Sequence, residues 1–122
     1  MIMIKGIGVD ICDIRKLKGA IERNKNFLNR VFSEREIKYC KTKKNSIIHF
    51  AGRFAAKEAF IKAVSNKKIK LKEIETINDK SGRPDIRLTK VIKLNLKKKN
   101  ANRINLSISH TDSTAVAVCI IL

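Results

Sequence analysis

The apolar residues of this chain follow two periods, and the helical one is clearest in the middle. Ile47, Phe50, Ala51, Phe54, Ala55 and Ala59 recur at steps of three and four, with the strong helix formers Ala, Lys and Glu filling the positions between. The spacing predicts a helix of roughly five turns over Ile47–Val64. A second helix is predicted after Asp13, a candidate N-cap, because Ile14, Leu17 and Ile21 share one face. Ser33-Glu34-Arg35-Glu36 has the form of a capping box, so a third helix should start at Ser33 and fade near Lys41–Asn45.

The other period is two. Met1–Ile11 is rich in β-branched residues and reads as a strand. Alternation places Gly6, Gly8 and Asp10 on one face and Ile7, Val9 and Ile11 on the other. The apolar face is expected to pack into the core, and the glycine face to leave room for something bulky near the backbone. Ile74–Ile77 and Asp85–Leu88 flank a Gly-containing loop, Asn78–Pro84, and predict a hairpin. Lys90–Asn102 matches no single element, and its Lys97-Lys98-Lys99 cluster suggests no chemistry. Leu106 and Ile108 alternate with Ser107 and Ser109, His110–Ser113 makes a polar turn, and Thr114–Leu122 returns as an apolar strand. The elements together predict an α+β fold in one domain, residues 1–122: an antiparallel sheet packed with a long central helix and shorter helices.

Charge changes this picture more than composition does. The 122 residues carry 28 Lys+Arg against 11 Asp+Glu, a formal net charge of +17. Such a field favours acidic partners: nucleic acid, anionic lipid, a polyphosphate or an acidic protein. Lys dominates Arg, which weakens the case for a reader of bases. Cys12, Cys40 and Cys119 are too far apart for a metal spacing and form no paired disulfide framework, so reduced thiols of a cytoplasmic protein are expected. No apolar run approaches the length of a membrane span, and no membrane partner is expected; an organelle is an alternative location if a transit peptide was removed.

Candidate chemistry sits on the central helix, which carries Arg53, Lys57, Glu58 and Lys62. Glu58 and Lys62 are one turn apart, and two readings stand: a solvated surface pair, or Glu58 on a divalent cation with Arg53, Lys57 and Lys62 holding phosphates. Asp10 either opens the turn after its strand or faces a ligand beside the glycines. Ser109 and His110 are adjacent in a strand and so point to opposite faces, which excludes a serine-hydrolase pair. His110 at the strand end is either a turn histidine or a ligand-facing one. Arg15, Lys16, Lys18 and Arg23 give the first helix a basic face.

Gly6-Ile-Gly-Val-Asp10, Phe54-Ala-Ala-Lys57-Glu58-Ala-Phe-Ile-Lys62 and Ser107-Ile-Ser109-His110, in this order and spacing, resemble the holo-acyl-carrier-protein synthases. These form the small, single-domain branch of the 4′-phosphopantetheinyl transferases. The resemblance covers nearly the whole chain and rests on the combination, since each piece alone is weak. It implies transfer of phosphopantetheine from coenzyme A to a serine of an acyl carrier protein in fatty-acid synthesis, releasing adenosine 3′,5′-bisphosphate. It further implies Mg²⁺ on Asp10 and Glu58, and phosphates held by Arg53, Lys57 and Lys62. Ser109 and His110 would lie near the nucleotide, and the Gly82-Arg83-Pro84 loop near adenine. The acidic carrier would dock on Arg15, Lys16 and Arg23. A homotrimer is implied, with each active site at a subunit boundary. The resemblance leaves Glu58, His110 and a metal-bound water open as general base.

Two positions depart from family patterns. Cys12 stands where larger, two-repeat members carry a second acidic residue, which favours the small branch. Lys16 stands where the small branch has an Arg, so docking by charge is retained and a bidentate contact is lost. A basic RNA- or DNA-binding module is the rival reading, motivated by the charge. Against it, most of the five Phe residues fall at helical core spacing, where no base could stack. An inactive relative retained for binding is the third reading, disfavoured because Asp10, Lys57, Glu58 and Lys62 are all present.

Overall fold

The computed structural model describes residues 3–122, in an α+β arrangement built around one helix. Strand β1 (Gly6–Asp13) pairs antiparallel with β5 (Thr114–Ile121), which pairs antiparallel with β4 (Ile104–His110), giving the sheet order β1-β5-β4. Helix α4 (Ser46–Val64) packs across this sheet. Helices α1 (Ile14–Arg23), α2 (Phe27–Val31) and α3 (Glu34–Lys41) precede it. A 3₁₀ turn at Leu71–Glu73, the hairpin β2 (Thr76–Asn78) and β3 (Pro84–Ile86), and helix α5 (Lys90–Lys97) follow. No helix among the described residues is long and apolar enough to cross a membrane.

Local chemistry sets the element ends. Asp13 Oδ1 accepts from the Lys16 amide at 3.1 Å, capping α1. Both halves of the capping box form at α3: the Glu36 amide donates to Ser33 Oγ at 3.2 Å and the Ser33 amide to Glu36 Oε1 at 2.9 Å. Helix α4 starts one residue before the expected Ile47 and ends at Ser65 in the left-handed region, φ 55°. The hairpin strands are shorter than expected, and Pro84 opens the second one, where its missing N–H costs little. Lys90–Asn102, unresolved by periodicity, contains α5: Thr89 Oγ1 caps it, and Ile92 and Leu96, one turn apart, are its buried residues with Asn95. Helix α2 has no strong signal in the sequence.

The first strand is where the pattern misleads. It runs Gly6–Asp13, the expected first two residues lying outside the described ones, and its faces are reversed relative to expectation. Ile7, Val9 and Ile11 are 63%, 52% and 68% exposed, while the glycine face packs on α4. The bulky neighbour that the glycines admit is therefore the chain's own helix. A Cβ on Gly8 would lie 1.9 Å from the Ala59 carbonyl oxygen, and one on Gly6 would lie 2.1 Å from that of Ala63. The small residues of α4 complete the fit: Ala51, Ala55, Ala56 and Ala59 are fully buried, and across the sheet Ala115, Ala117 and Cys119 meet them.

Candidate active site

Close packing of β1 on α4 brings the carboxylates together. Asp10 lies on the glycine face of β1, and Lys62 of α4 reaches it, with Nζ 2.9 Å from Asp10 Oδ1 and 3.1 Å from the Val9 carbonyl oxygen. Lys62 thus pairs with the strand, and its side chain stays 55% exposed. Glu58 stands one turn before Lys62. Burial first, and the nearby Asp10 charge second, push its carboxyl above the ordinary range, with Lys62 opposing. Two carboxylates that repel each other in a half-buried setting form an arrangement that a cation relieves. Among the described residues no group of three or more His, Cys, Asp or Glu forms a denser cage, and two carboxylates suit a cation that keeps waters and substrate oxygens.

The opposite flank of α4 is cationic, and it corrects one expectation. Lys57, expected to hold phosphate, is fully buried, with Nζ donating to Glu36 Oε1 at 2.7 Å, Leu71 O at 3.0 Å and Ile74 O at 2.7 Å. All three of its protons are committed, so no phosphate can be met from this position. Burial lowers its pKa and the Glu36 charge acts against that. Glu36 is saturated too: Oε2 accepts from the Thr76 amide at 2.9 Å and Thr76 Oγ1 at 2.6 Å. Lys57 is the knot that ties α4 to α3 and to the start of the hairpin.

Arg53 is different. It is 5% exposed, yet its partners are neutral: Nη1 donates to His49 O at 3.3 Å, Nη2 to Asn78 Oδ1 at 2.5 Å, and the guanidinium lies 4.3 Å from the Tyr39 ring centre. Lys43 sits over the same ring at 4.6 Å, and Tyr39 meets His49 edge-on. Burial, then the charges of Arg53, Lys43 and His110, hold the His49 imidazole below its usual range. Arg53, His49, Lys43 and His110 therefore share one positive neighbourhood, and such a place attracts an anion. His110 is exposed, with Nδ1 3.3 Å from Thr111 O. Ser109 faces the other side of β4.

The loop expected near adenine hangs from this flank. Asp79 Oδ1 accepts from the Ser81 and Arg83 amides at 2.9 Å each and from Ser81 Oγ at 2.6 Å, and Gly82 adopts φ +90°. Asn78 Nδ2 donates to Gly82 O at 2.9 Å, so the exposed Ser81–Arg83 tip is anchored to the same residue that holds Arg53. His49, Tyr39 and Asn78 were not singled out in the sequence; only the His49–Arg53 spacing of one helical turn could have drawn attention to them.

The two flanks leave α4 in different directions. Arg53 and Glu58 are five positions apart, which rotates one about 140° from the other around the helix axis. Arg15, Lys16 and Arg23 are exposed on α1, and Lys16 borders an open cleft of about 270 Å³ between α1 and β1, lined also by Ile11, Cys12, Phe27 and Phe54. The three thiols are buried and unpaired; burial pushes Cys12 and Cys40 to about 11 and Cys119 to about 12, so none is a nucleophile at neutral pH.

Comparison with known proteins gives a consistent picture. The sequence model of the 4′-phosphopantetheinyl transferase superfamily matches residues 6–119. A holo-[acyl-carrier-protein] synthase of Clostridium tetani is 46% identical over 121 residues, covering 98% of this chain and 96% of that protein. One from Halothermothrix orenii is 40% identical, covering 94% of each. Among solved structures, holo-[acyl-carrier-protein] synthase from Neisseria meningitidis superposes with a TM-score of 0.89 at 27% identity, over 98% of this chain and 99% of that one. The Bacillus anthracis synthase, in complex with CoA (3′,5′-ADP), superposes with a TM-score of 0.80 at 32% identity, over 98% and 97%.

Proposed function

The chain belongs to the 4′-phosphopantetheinyl transferase superfamily, as a holo-[acyl-carrier-protein] synthase, and from that premise we propose how its residues divide the work. One transferase domain over 1–122 moves 4′-phosphopantetheine from coenzyme A to a serine of an apo-acyl carrier protein, leaving adenosine 3′,5′-bisphosphate. The observation that carries this reading is the pairing of Asp10 with Lys62 beside a Glu58 of raised proton affinity, in a chain whose relative binds coenzyme A.

Asp10 and Glu58 would hold a divalent cation, Mg²⁺ by the small number and hardness of the donors. When bound, that ion neutralises charge on the pyrophosphate oxygens. Lys62, half exposed and bound among the described residues only to Asp10 and a carbonyl, is free to swing onto a phosphate oxygen once the carboxylate has another partner. Arg53 and His110 hold phosphate on the cationic flank. Gly82, Arg83 and Pro84 take the adenine end, and Ser109 lies on the neighbouring strand. The serine proton would go to His110, or to Glu58 only where that carboxylate is not committed to the cation.

The opposed flanks of α4 support a head-to-tail assembly of copies, and the homotrimer is the form of it that the family resemblance implies. With Glu58 and Arg53 facing apart, a complete site arises when the carboxylate flank of one copy meets the cationic flank of the next. The exposed row Ile7, Val9 and Ile11, beside Val116, Val118 and Ile120 of β5 in the paired register, supplies an apolar face for that assembly. Arg15, Lys16 and Arg23 then steer the acidic carrier to the cleft beside Asp10. A place in fatty-acid synthesis within the cytoplasm follows from the carrier substrate. The +17 charge also suits a nucleic acid, but Phe50 and Phe60 are at most 4% exposed and cannot stack on bases.

Intact-mass measurement of an apo-carrier incubated with the protein, coenzyme A and Mg²⁺ tests the reaction. A gain of one phosphopantetheine that EDTA abolishes is expected. No gain on a competent carrier would overturn the reading.

A further inference from the structure

Arg53 is a nearly buried cation without an anion. Among the described residues no carboxylate forms an ion pair with it, and the carboxylates of its neighbourhood, Glu36 and Glu75, are bridged to Lys57 and Arg87 instead. A buried guanidinium is ordinarily paired, because its charge loses most of its hydration. Here its contacts are the Tyr39 ring, a backbone carbonyl and the carboxamide of Asn78. Asn78 is also bound on its other side, where Nδ2 donates to Gly82 O at 2.9 Å.

That double contact selects the residue type. One end of the side chain must accept from a guanidinium and the other must donate to a carbonyl, and a carboxamide of this length does both. Aspartate, of the same shape, would neutralise Arg53 and repel the Gly82 carbonyl. We infer that Asn78 is a positioning residue: it fixes the Arg53 guanidinium and the Asp79–Arg83 loop in one arrangement while leaving the charge of Arg53 free for a substrate phosphate. This rests on the proposed role of Arg53 as a phosphate holder for coenzyme A. It adds a residue that touches neither phosphate nor the reacting atoms.

Two substitutions separate charge from shape. N78A removes both hydrogen bonds and leaves Arg53 charged and loose; N78D removes the loop bond but pairs the guanidinium. Calorimetric titration of adenosine 3′,5′-bisphosphate into each protein, with thermal unfolding alongside, gives the comparison. N78D is expected to be the more heat-stable of the two variants and yet to bind the bisphosphate about tenfold more weakly than N78A, as an internal ion pair competes with the phosphate. The KM for coenzyme A should follow that order while kcat changes less. Equal affinity in the two variants, or affinity that simply follows thermal stability, would overturn the inference, since either would make Asn78 a structural clip. Failure of the wild type to bind the bisphosphate would overturn the reading of Arg53 itself, and this inference with it.

Discussion

Lys57 and Lys62 lie five positions apart on one helix, in one motif, and the structure puts them to opposite uses. Lys57 is fully buried, its protons shared among Glu36 and two carbonyls; Lys62 is half exposed and holds Asp10 at the edge of the sheet. Neighbouring side chains Glu58 and Arg53 divide likewise, Glu58 beside Asp10 and Arg53 beside Asn78. A motif lysine is therefore not chemistry by residue type alone. What decides is which side of α4 it leaves from: one side faces β1 and solvent, the other faces α3 and the hairpin.

Substitutions on the two sides should accordingly fail in different ways. Glu58→Gln is expected to lower turnover about a thousandfold, the loss seen when a group stabilising transition-state charge is removed. It should not lower thermal stability. The fold raises the pKa of Glu58, so the folded state binds more protons than the unfolded one from the ordinary glutamate range up to that raised value. Stability from this group is present below that range and is lost as pH rises through it. Glu58→Gln removes the loss, so the variant should melt at or above the wild type at neutral pH, with any difference vanishing in acid. A clear drop in melting temperature at pH 7, or turnover close to wild type at saturating Mg²⁺, would break the comparison.

Lys57→Met should do the reverse. Removing one partner of a buried ion pair leaves Glu36 uncompensated and is expected to cost about 3 kcal/mol of stability in denaturant titration. Measured at a temperature where the variant is folded, its kcat should stay within a few-fold of wild type. A normal stability with lost turnover would return Lys57 to the substrate side. The smallest effect belongs to the docking face: Lys16→Glu, exposed on α1, should raise the carrier KM several-fold at low salt and progressively less as salt screens the charge. Its affinity for coenzyme A should not change, and an unchanged carrier KM at low salt would remove α1 from docking.

Much of the fold is legible in the residues. The helical period of Ile47–Val64, the Ser33–Glu36 box and the Asp13 cap all appear where the sequence puts them, because each is a local signal that tertiary packing reinforces. The faces of β1 were not legible. Alternation alone cannot say that alanines on α4 would pack against glycines, leaving Ile7, Val9 and Ile11 outside. Helix α5 was hidden because five lysines at 90, 93 and 97–99 blur the period carried by Ile92 and Leu96. Asp10, Glu58 and Lys62 stand out through their motif, and the structure sets Lys62 on Asp10 with Glu58 within reach of both charges. The burial of Lys57 is not legible, because its partner Glu36 is 21 positions away and carries a capping signal of its own. Asn78 gave no sign, since a polar residue before a turn is ordinary until Arg53 and Gly82 are seen on either side of it.

Mixing two variants, each expected to lose turnover, tests most directly the claim that the two flanks serve one site only across a subunit boundary. Glu58→Gln and Arg53→Ala, each purified, would be unfolded together, refolded and assayed for carrier modification. If each site takes Glu58 from one copy and Arg53 from the next, random pairing restores about a quarter of wild-type activity, since one boundary in four joins two intact halves. Activity no higher than the sum of the two variants, in a sample shown by native mass measurement to contain mixed oligomers, would place both flanks in the same chain's site and contradict the account.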